Sequence, residues 1–182
     1  DYAMAEGVKK TYRKQYFRAL AQYIEVRFDM SASDAAALTA AIKEALGTDV
    51  TMHTAEAYAE KLRAFLPRHQ AENGFQIITG DAARAAAEYA AKTAYKETDA
   101  ATYQAMEALV HNLNTMNSRA GAQVPFSSLN YGTDTSPEGR MAVHNLLRAT
   151  EAGLGDGETP IFPVQIFKVK EGVNYNEGDP NY

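Results

Sequence analysis

"NSRAGAQVPFSSLNYGTDTSPEGR", residues 117–140, decides how the chain is read. "QVPFSSLNY", 123–131, alternates like a short strand. Phe126, Ser128 and Asn130 share one face, and Ser127, Leu129 and Tyr131 share the other. "GTDTS" is then a turn. "SPEGR" opens a helix, with Ser136 as N-cap, Pro137 at the first helical position and Glu138 in the first turn. That helix carries Met141, Val143, Leu146 and Leu147 and ends at Gly153 or Gly155. "GLGDGETP" is a loop, and "IFPVQIFKVK", 161–170, is a second strand. Two strands joined by a helix of about 15 residues form a parallel crossover unit. Both strands are largely apolar, which predicts cover on both faces. Yet each face of the first strand carries a polar group. Neighbouring loops and waters satisfy these groups, or a ligand does.

Working outward, the chain before this stretch reads as helices. The first spans 8–29, with Tyr12, Tyr16, Leu20, Tyr23 and Ile24 at helical spacing. Ser31 or Ser33 caps a second, which Gly47 ends. A third runs from Thr54 to Leu66, where Pro67 stops it. A fourth, rich in alanine, runs from Asp81 through Glu97. A fifth starts at Thr98 or Asp99 and carries the stripe Tyr103, Met106, Leu109, Val110 and Leu113. The organisation is therefore 1–118 mostly helical and 119–182 strand–helix–strand. Such a pair of strands calls for further strands from elsewhere in a longer polypeptide. The start at Asp1 and the turn-rich finish "NEGDPNY" fit an internal piece of one.

The length of 182 residues suffices for a core, and 46% hydrophobic and 23% charged residues are ordinary for a globular protein. A net charge of −5 opposes non-specific nucleic-acid binding. The cluster Lys9, Lys10, Arg13, Lys14 and Arg18 reads as a solvated helix face. No apolar run reaches the roughly 18 residues of a membrane span, and no signal peptide is recognisable. There is no cysteine, hence no disulfide and no thiol chemistry within the chain. His53, His69, His111 and His144 lack metal-ligand spacing, so no metal is expected. "GLGDG" lacks the Lys-Ser/Thr of a phosphate loop, and no nucleophile elbow or paired carboxylates stand out, so no catalytic residue is assigned.

"NTMNSRAGAQVPFSSLNYGTDTSPEGR", "AGLGDGETPIFPVQIFKVKEGVNY" and "GDPNY", with "DYAMAEGVKKTYRK" at the start, closely resemble the catalytic subunit of the anaerobic (class III) ribonucleoside-triphosphate reductases. The resemblance is strong from Asn112 to Tyr182 and over 1–14, and weak over 30–97. It implies a glycyl radical enzyme on a ten-stranded α/β barrel of two five-stranded halves, of which this chain is a part. It implies reduction of ribonucleoside triphosphates to deoxyribonucleotides, with electrons from formate or a thiol reductant. A radical-SAM activating enzyme installs the glycyl radical, which passes to a cysteine inside the barrel. Nucleotide effectors (dNTP or ATP) choose the substrate, and the whole enzyme is a cytoplasmic homodimer. The radical cysteine, its partner cysteine and the glycyl loop have no counterpart here, so the chain alone is expected to be inactive and to bind no cofactor.

The family motif matches Asn114, Gln123, Pro125, Phe126 and Arg140 here. With the strand reading, it makes Gln123, Ser128 and Asn130 candidate partners of substrate ribose or phosphate, and Arg119 a weaker phosphate candidate. A helical adaptor or regulatory module using 1–110 is the rival reading.

Overall fold

The computed structural model describes residues 2–73, 76–116 and 123–182. The element order is α1 (Tyr2–Arg27), α2 (Ala32–Leu46), α3 (Ala55–Glu72), α4 (Gly80–Thr115), β1 (Ser128–Tyr131), α5 (Pro137–Ala152) and β2 (Val164–Phe167). The chain divides into two compact units, Lys9–Thr98 and Asp99–Tyr182 with the residues up to Val8. No helix among the described residues is long and apolar enough to cross a membrane.

The unit Lys9–Thr98 is helical. Its core gathers Tyr16, Leu20 and Ile24 of α1, Leu38 and Ile42 of α2, Tyr58, Leu62 and Leu66 of α3, and Ala83, Ala86, Ala87, Ala90 and Ala94 of α4. The alanine run therefore does more than favour helix. Its small side chains line the buried face of α4, next to larger residues of the same core. Tyr16 meets Phe17 and Tyr58 edge-on, with ring centroids 5.4 and 5.6 Å apart. The Tyr58 hydroxyl donates to Gly47 O at 2.7 Å, while burial pushes its pKa up to about 12. Ser31 caps α2 by accepting from Asp34 N at 3.1 Å, and Gly47 closes that helix with φ 79°.

Two helix boundaries differ from those read in the sequence. α3 does not stop at Leu66 but continues through Pro67 to Glu72. Proline removes one i→i−4 bond, yet Leu62, Leu66 and Gln70 lie on one buried face spanning it, and their packing outweighs the local penalty. The predicted fourth and fifth helices are one helix, α4, of 36 residues. Thr98 and Asp99, which look like an N-cap, serve as packing residues instead. Thr98 is fully buried, and Asp99 Oδ1 accepts from Asn145 Nδ2 at 2.8 Å.

In the other unit, β1 and β2 are parallel and α5 is the crossover between them, as the sequence indicated. Ser128 pairs with Val164, and Tyr131 with Phe167. Ser136 accepts from Gly139 N at 3.0 Å and Pro137 begins α5, while Gly153 (φ 80°) ends it. Each strand is shorter than read, four residues rather than nine or ten. Pro125 lies before β1 and Pro163 immediately before β2, and neither can donate to a ladder. Nor are the strands covered on both faces. Phe126, Ser128 and Asn130 are exposed, whereas Ser127 and Leu129 are partly buried and Tyr131 is buried. The alternation is as expected. The cover lies on one face only.

Replacing Leu62, which is fully buried, with Ala is expected to cost about 2–5 kcal/mol through lost transfer energy and a residual cavity. Val26→Ala at an exposed site on α1 is expected to stay within about 0.5 kcal/mol. Urea unfolding of both variants checks the ordering, and equal midpoints would place the core elsewhere.

Candidate functional site at the strand ends

The carboxyl ends of β1 and β2 open into loops that two asparagines hold together. Asn174, nearly buried, donates to Gly132 O (2.8 Å) and Lys168 O (2.9 Å) and accepts from Lys170 N (2.8 Å). One side chain therefore ties the residue that follows β1 to the residue that follows β2. Asn181 donates to Asp134 O (2.8 Å), and its backbone N–H donates to Val173 O (2.8 Å). Arg140 of α5 reaches the same loop, through Nε to Asn181 Oδ1 (2.8 Å) and Nη2 to Pro180 O (2.7 Å).

The turn after β1 depends on two close-packed glycines, Gly132 within it and Gly139 in the first turn of α5. At Gly132 φ is 118°, and a β-carbon there would lie 2.8 Å from Lys168 O and from the Phe167 ring. At Gly139 a β-carbon would collide with Asp134 Cγ, and Asp134 is held there because its Oδ1 accepts from Ser136 N at 2.8 Å. These contacts frame an open groove of about 450 Å³, with Arg140, His144 and Leu147 of α5 on one side and Phe167, Asn181 and Tyr182 on the other. A cation, an imidazole and two aromatic rings at the carboxyl ends of parallel strands suit an anionic or polar ligand with a planar part.

The candidate residues from the sequence fall outside this groove. Ser128 and Asn130 come together on the exposed face of β1. Gln123 is exposed and lies before β1, in an isolated bridge. Arg119 lies outside the described residues. Among the other motif residues, Asn114 acts as a clamp. Its Oδ1 accepts from Ile161 N (2.9 Å) and Phe162 N (3.0 Å), and its Nδ2 donates to Val110 O and Phe162 O (2.6 Å each). It fixes the entry to β2 against the end of α4. Phe126 and Phe162 meet edge-on at 5.3 Å.

On the covered face the polar groups mostly pair with one another. The Tyr131 hydroxyl donates to Gln165 Oε1 (2.9 Å), Gln165 Nε2 to Thr150 Oγ1 (2.8 Å), and Thr150 Oγ1 to Leu146 O (2.8 Å). This chain links β1, β2 and α5. Ser127 Oγ, also buried, finds no partner among the described residues. Sequence reasoning missed Asn174, Asn181 and Gln165. Gln165 interrupts an apolar strand and could have been flagged as Ser127 was. The two asparagines stand in a stretch that reads only as loop. No cluster of three metal-ligating side chains exists among the described residues.

Asn174→Ala deletes three hydrogen bonds and exposes two strand-end carbonyls to competition. It is expected to cost about 2–3 kcal/mol in thermal unfolding of the full-length protein. Asn176→Ala, two residues along and exposed, is expected to cost less than about 0.5 kcal/mol. Equal costs would remove the clamp from the account.

The parallel unit, the clamped strand ends and the helices before them can be set beside known proteins. A family model described as anaerobic ribonucleoside-triphosphate reductase matches residues 8–182. The chain is 38% identical over 81 residues to the anaerobic ribonucleoside-triphosphate reductase of Escherichia coli (strain K12), covering 44% of this chain and 11% of that protein. It is 37% identical over 90 residues to the protein of that name from Salmonella typhimurium, covering 49% of this chain and 12% of the relative. It is 41% identical over 90 residues to that of Enterobacteria phage T4, covering 49% of this chain and 15% of the relative. Each alignment therefore takes in a small part of a much longer protein. The match over 8–182 settles the affiliation: the chain belongs to the anaerobic ribonucleoside-triphosphate reductase family.

Proposed function

We propose that the chain is part of the catalytic subunit of an enzyme that reduces ribonucleoside triphosphates to deoxyribonucleotides, and that the uncovered face of β1 borders the nucleotide. The observation that carries the reading is the family match over 8–182, which takes in the helices and the strand unit alike. It favours helices that belong to the reductase over an independent adaptor module.

In this reading β1 and β2 are two strands of the ten-stranded barrel, and further strands flank them. Exposed Val164, Ile166 and Phe167 on β2 are apolar surface of the kind such neighbours cover. The whole enzyme is a cytoplasmic homodimer that answers to nucleotide effectors and is activated by a radical-SAM partner.

The residues present do not hold the radical. With no cysteine in the chain, the thiyl step would fall to a residue of another segment, and the glycyl loop that the resemblance implies has no counterpart here. When installed, that radical would supply, through a cysteine of another segment, the hydrogen abstraction that ribose reduction by formate or a thiol requires.

This chain's residues bind and orient. Ser128 and Asn130 project hydroxyl and amide groups from one exposed face of a strand, where they can meet separate oxygens of a nucleotide. Gln123 precedes them on the same stretch, and Arg119 offers a guanidinium for phosphate. The Asn174 clamp and the Tyr131–Gln165–Thr150 chain hold β1 against β2 and α5, so that these groups stay in place.

Gln123→Ala and Asn130→Ala in the full-length reductase are expected to lose about 1–2 kcal/mol of binding each, roughly 5- to 30-fold in kcat/KM. The glycyl radical yield, read by electron paramagnetic resonance, should stay normal. Unchanged nucleotide reduction in both variants would make these groups structural only.

A further inference from the structure

Phe126 is the most exposed large apolar side chain among the described residues, at 85%. A single exposed phenylalanine is ordinary on a protein surface. This one has a defined place. Exposed positions at 126, 128 and 130 alternate with partly or fully covered ones at 127, 129 and 131. The ring therefore stands on the same face as Ser128 and Asn130. The pairing also begins before β1 itself, because Ser127 O accepts from Val164 N at 2.9 Å.

The ring is braced as well as exposed. It meets Phe162 edge-on, with centroids 5.3 Å apart and planes at 70°. Phe162 is fixed in turn by Asn114, which accepts from its backbone N–H at 3.0 Å and donates to its carbonyl at 2.6 Å. Pro125 restricts the backbone just before the ring. A side chain held on one side and open elsewhere is preorganised to receive another flat group.

An aromatic ring, a hydroxyl and an amide thus stand in a row along one strand face. At about 3.3 Å per residue, the row from Phe126 to Asn130 spans about 13 Å. A nucleoside triphosphate presents a flat base, a ribose and a phosphate chain in the same order and over a similar length. We infer that Phe126 is a substrate-contacting residue that stacks on the nucleobase, an inference that rests on the reading of the β1 face as the border of the nucleotide. Stacking uses the π-face that every base has, so the contact holds the base without selecting among bases. Ser128 and Asn130 then meet the polar remainder of the same molecule.

The test compares Phe126→Leu with Phe126→Trp in the full-length reductase. The probes are CTP, GTP and ribose 5-triphosphate, which carries no base and is measured as a competitor. In Phe126→Leu, KM for CTP and GTP should rise about tenfold with kcat unchanged. The inhibition constant of ribose 5-triphosphate and the glycyl radical yield should stay as in the parent enzyme. Phe126→Trp should keep KM for GTP at or below the parent value. Unchanged KM in Phe126→Leu overturns the inference. So does equal weakening of GTP and ribose 5-triphosphate, or a Trp variant as impaired as the Leu variant. If Phe126→Leu fails to acquire its radical, the Trp variant decides alone, and a raised KM for GTP there overturns the inference. Asn130→Ala separates the two readings. Impaired Asn130→Ala beside normal Phe126→Leu removes only the stacking contact, whereas normal kinetics in both removes the β1 face from the nucleotide site.

Discussion

The parallel pairing of β1 with β2 is the constraint on which the strand unit depends. Parallel neighbours cannot be joined by a tight turn, so α5 must cross over between them. Its start and stop are written locally, in Ser136 and Pro137 at one end and Gly153 at the other. Pairing also brings Gly132 O and Lys168 O side by side just beyond the ladder, where no further strand residue serves them. Asn174 supplies donors to both. Removing that buried amide takes the side-chain donor from Lys168 O and leaves Gly132 O only the longer bond from Asn181 Nδ2 at 3.4 Å. The loop that carries Asn174 also carries Asn181, which meets Arg140. The same clamp that finishes the sheet therefore shapes the groove beside it.

Packing rather than propensity governs the helical unit. Pro67 stays inside α3 because Leu62, Leu66 and Gln70 continue one buried face past it. The alanines of α4 fill the core at positions where larger residues would push the helices apart. The charges are distributed unevenly over this unit. Arg84 sits among three glutamates, whereas Lys10, Arg13, Lys14 and Arg18 of α1 and Lys43 of α2 line a surface to which no carboxylate side chain among the described residues contributes.

Local signals in the sequence were reliable where one residue does one job. Ser31, Ser136, Gly47 and Gly153 act as the caps their types suggest, and the period of two at 126–131 sorts exposed from covered side chains correctly. Reading failed where a tertiary contact takes over a residue with a strong local meaning. Thr98 and Asp99 resemble a cap but are packing residues, and Pro67 resembles a stop but is overruled. The clamp was hidden for a related reason. The bonds that reach the end of β1 and the turn after it, Asn174 to Gly132 O and Asn181 to Asp134 O, span 42 and 47 residues, and no local pattern encodes such a separation. Of the site residues, Ser128 and Asn130 could be paired from alternation alone. The roles of Asn114 and Arg140 came only with the fold.

The central claim is that the polar face of β1, uncovered here, borders the nucleotide in the whole reductase. A structure of the full-length protein with a bound ribonucleoside triphosphate tests it most directly. The account predicts Ser128 Oγ or the Asn130 amide within hydrogen-bonding distance, about 3 Å, of a ribose or phosphate oxygen. Both side chains sealed against other protein segments, with the nucleotide bound elsewhere, would contradict it.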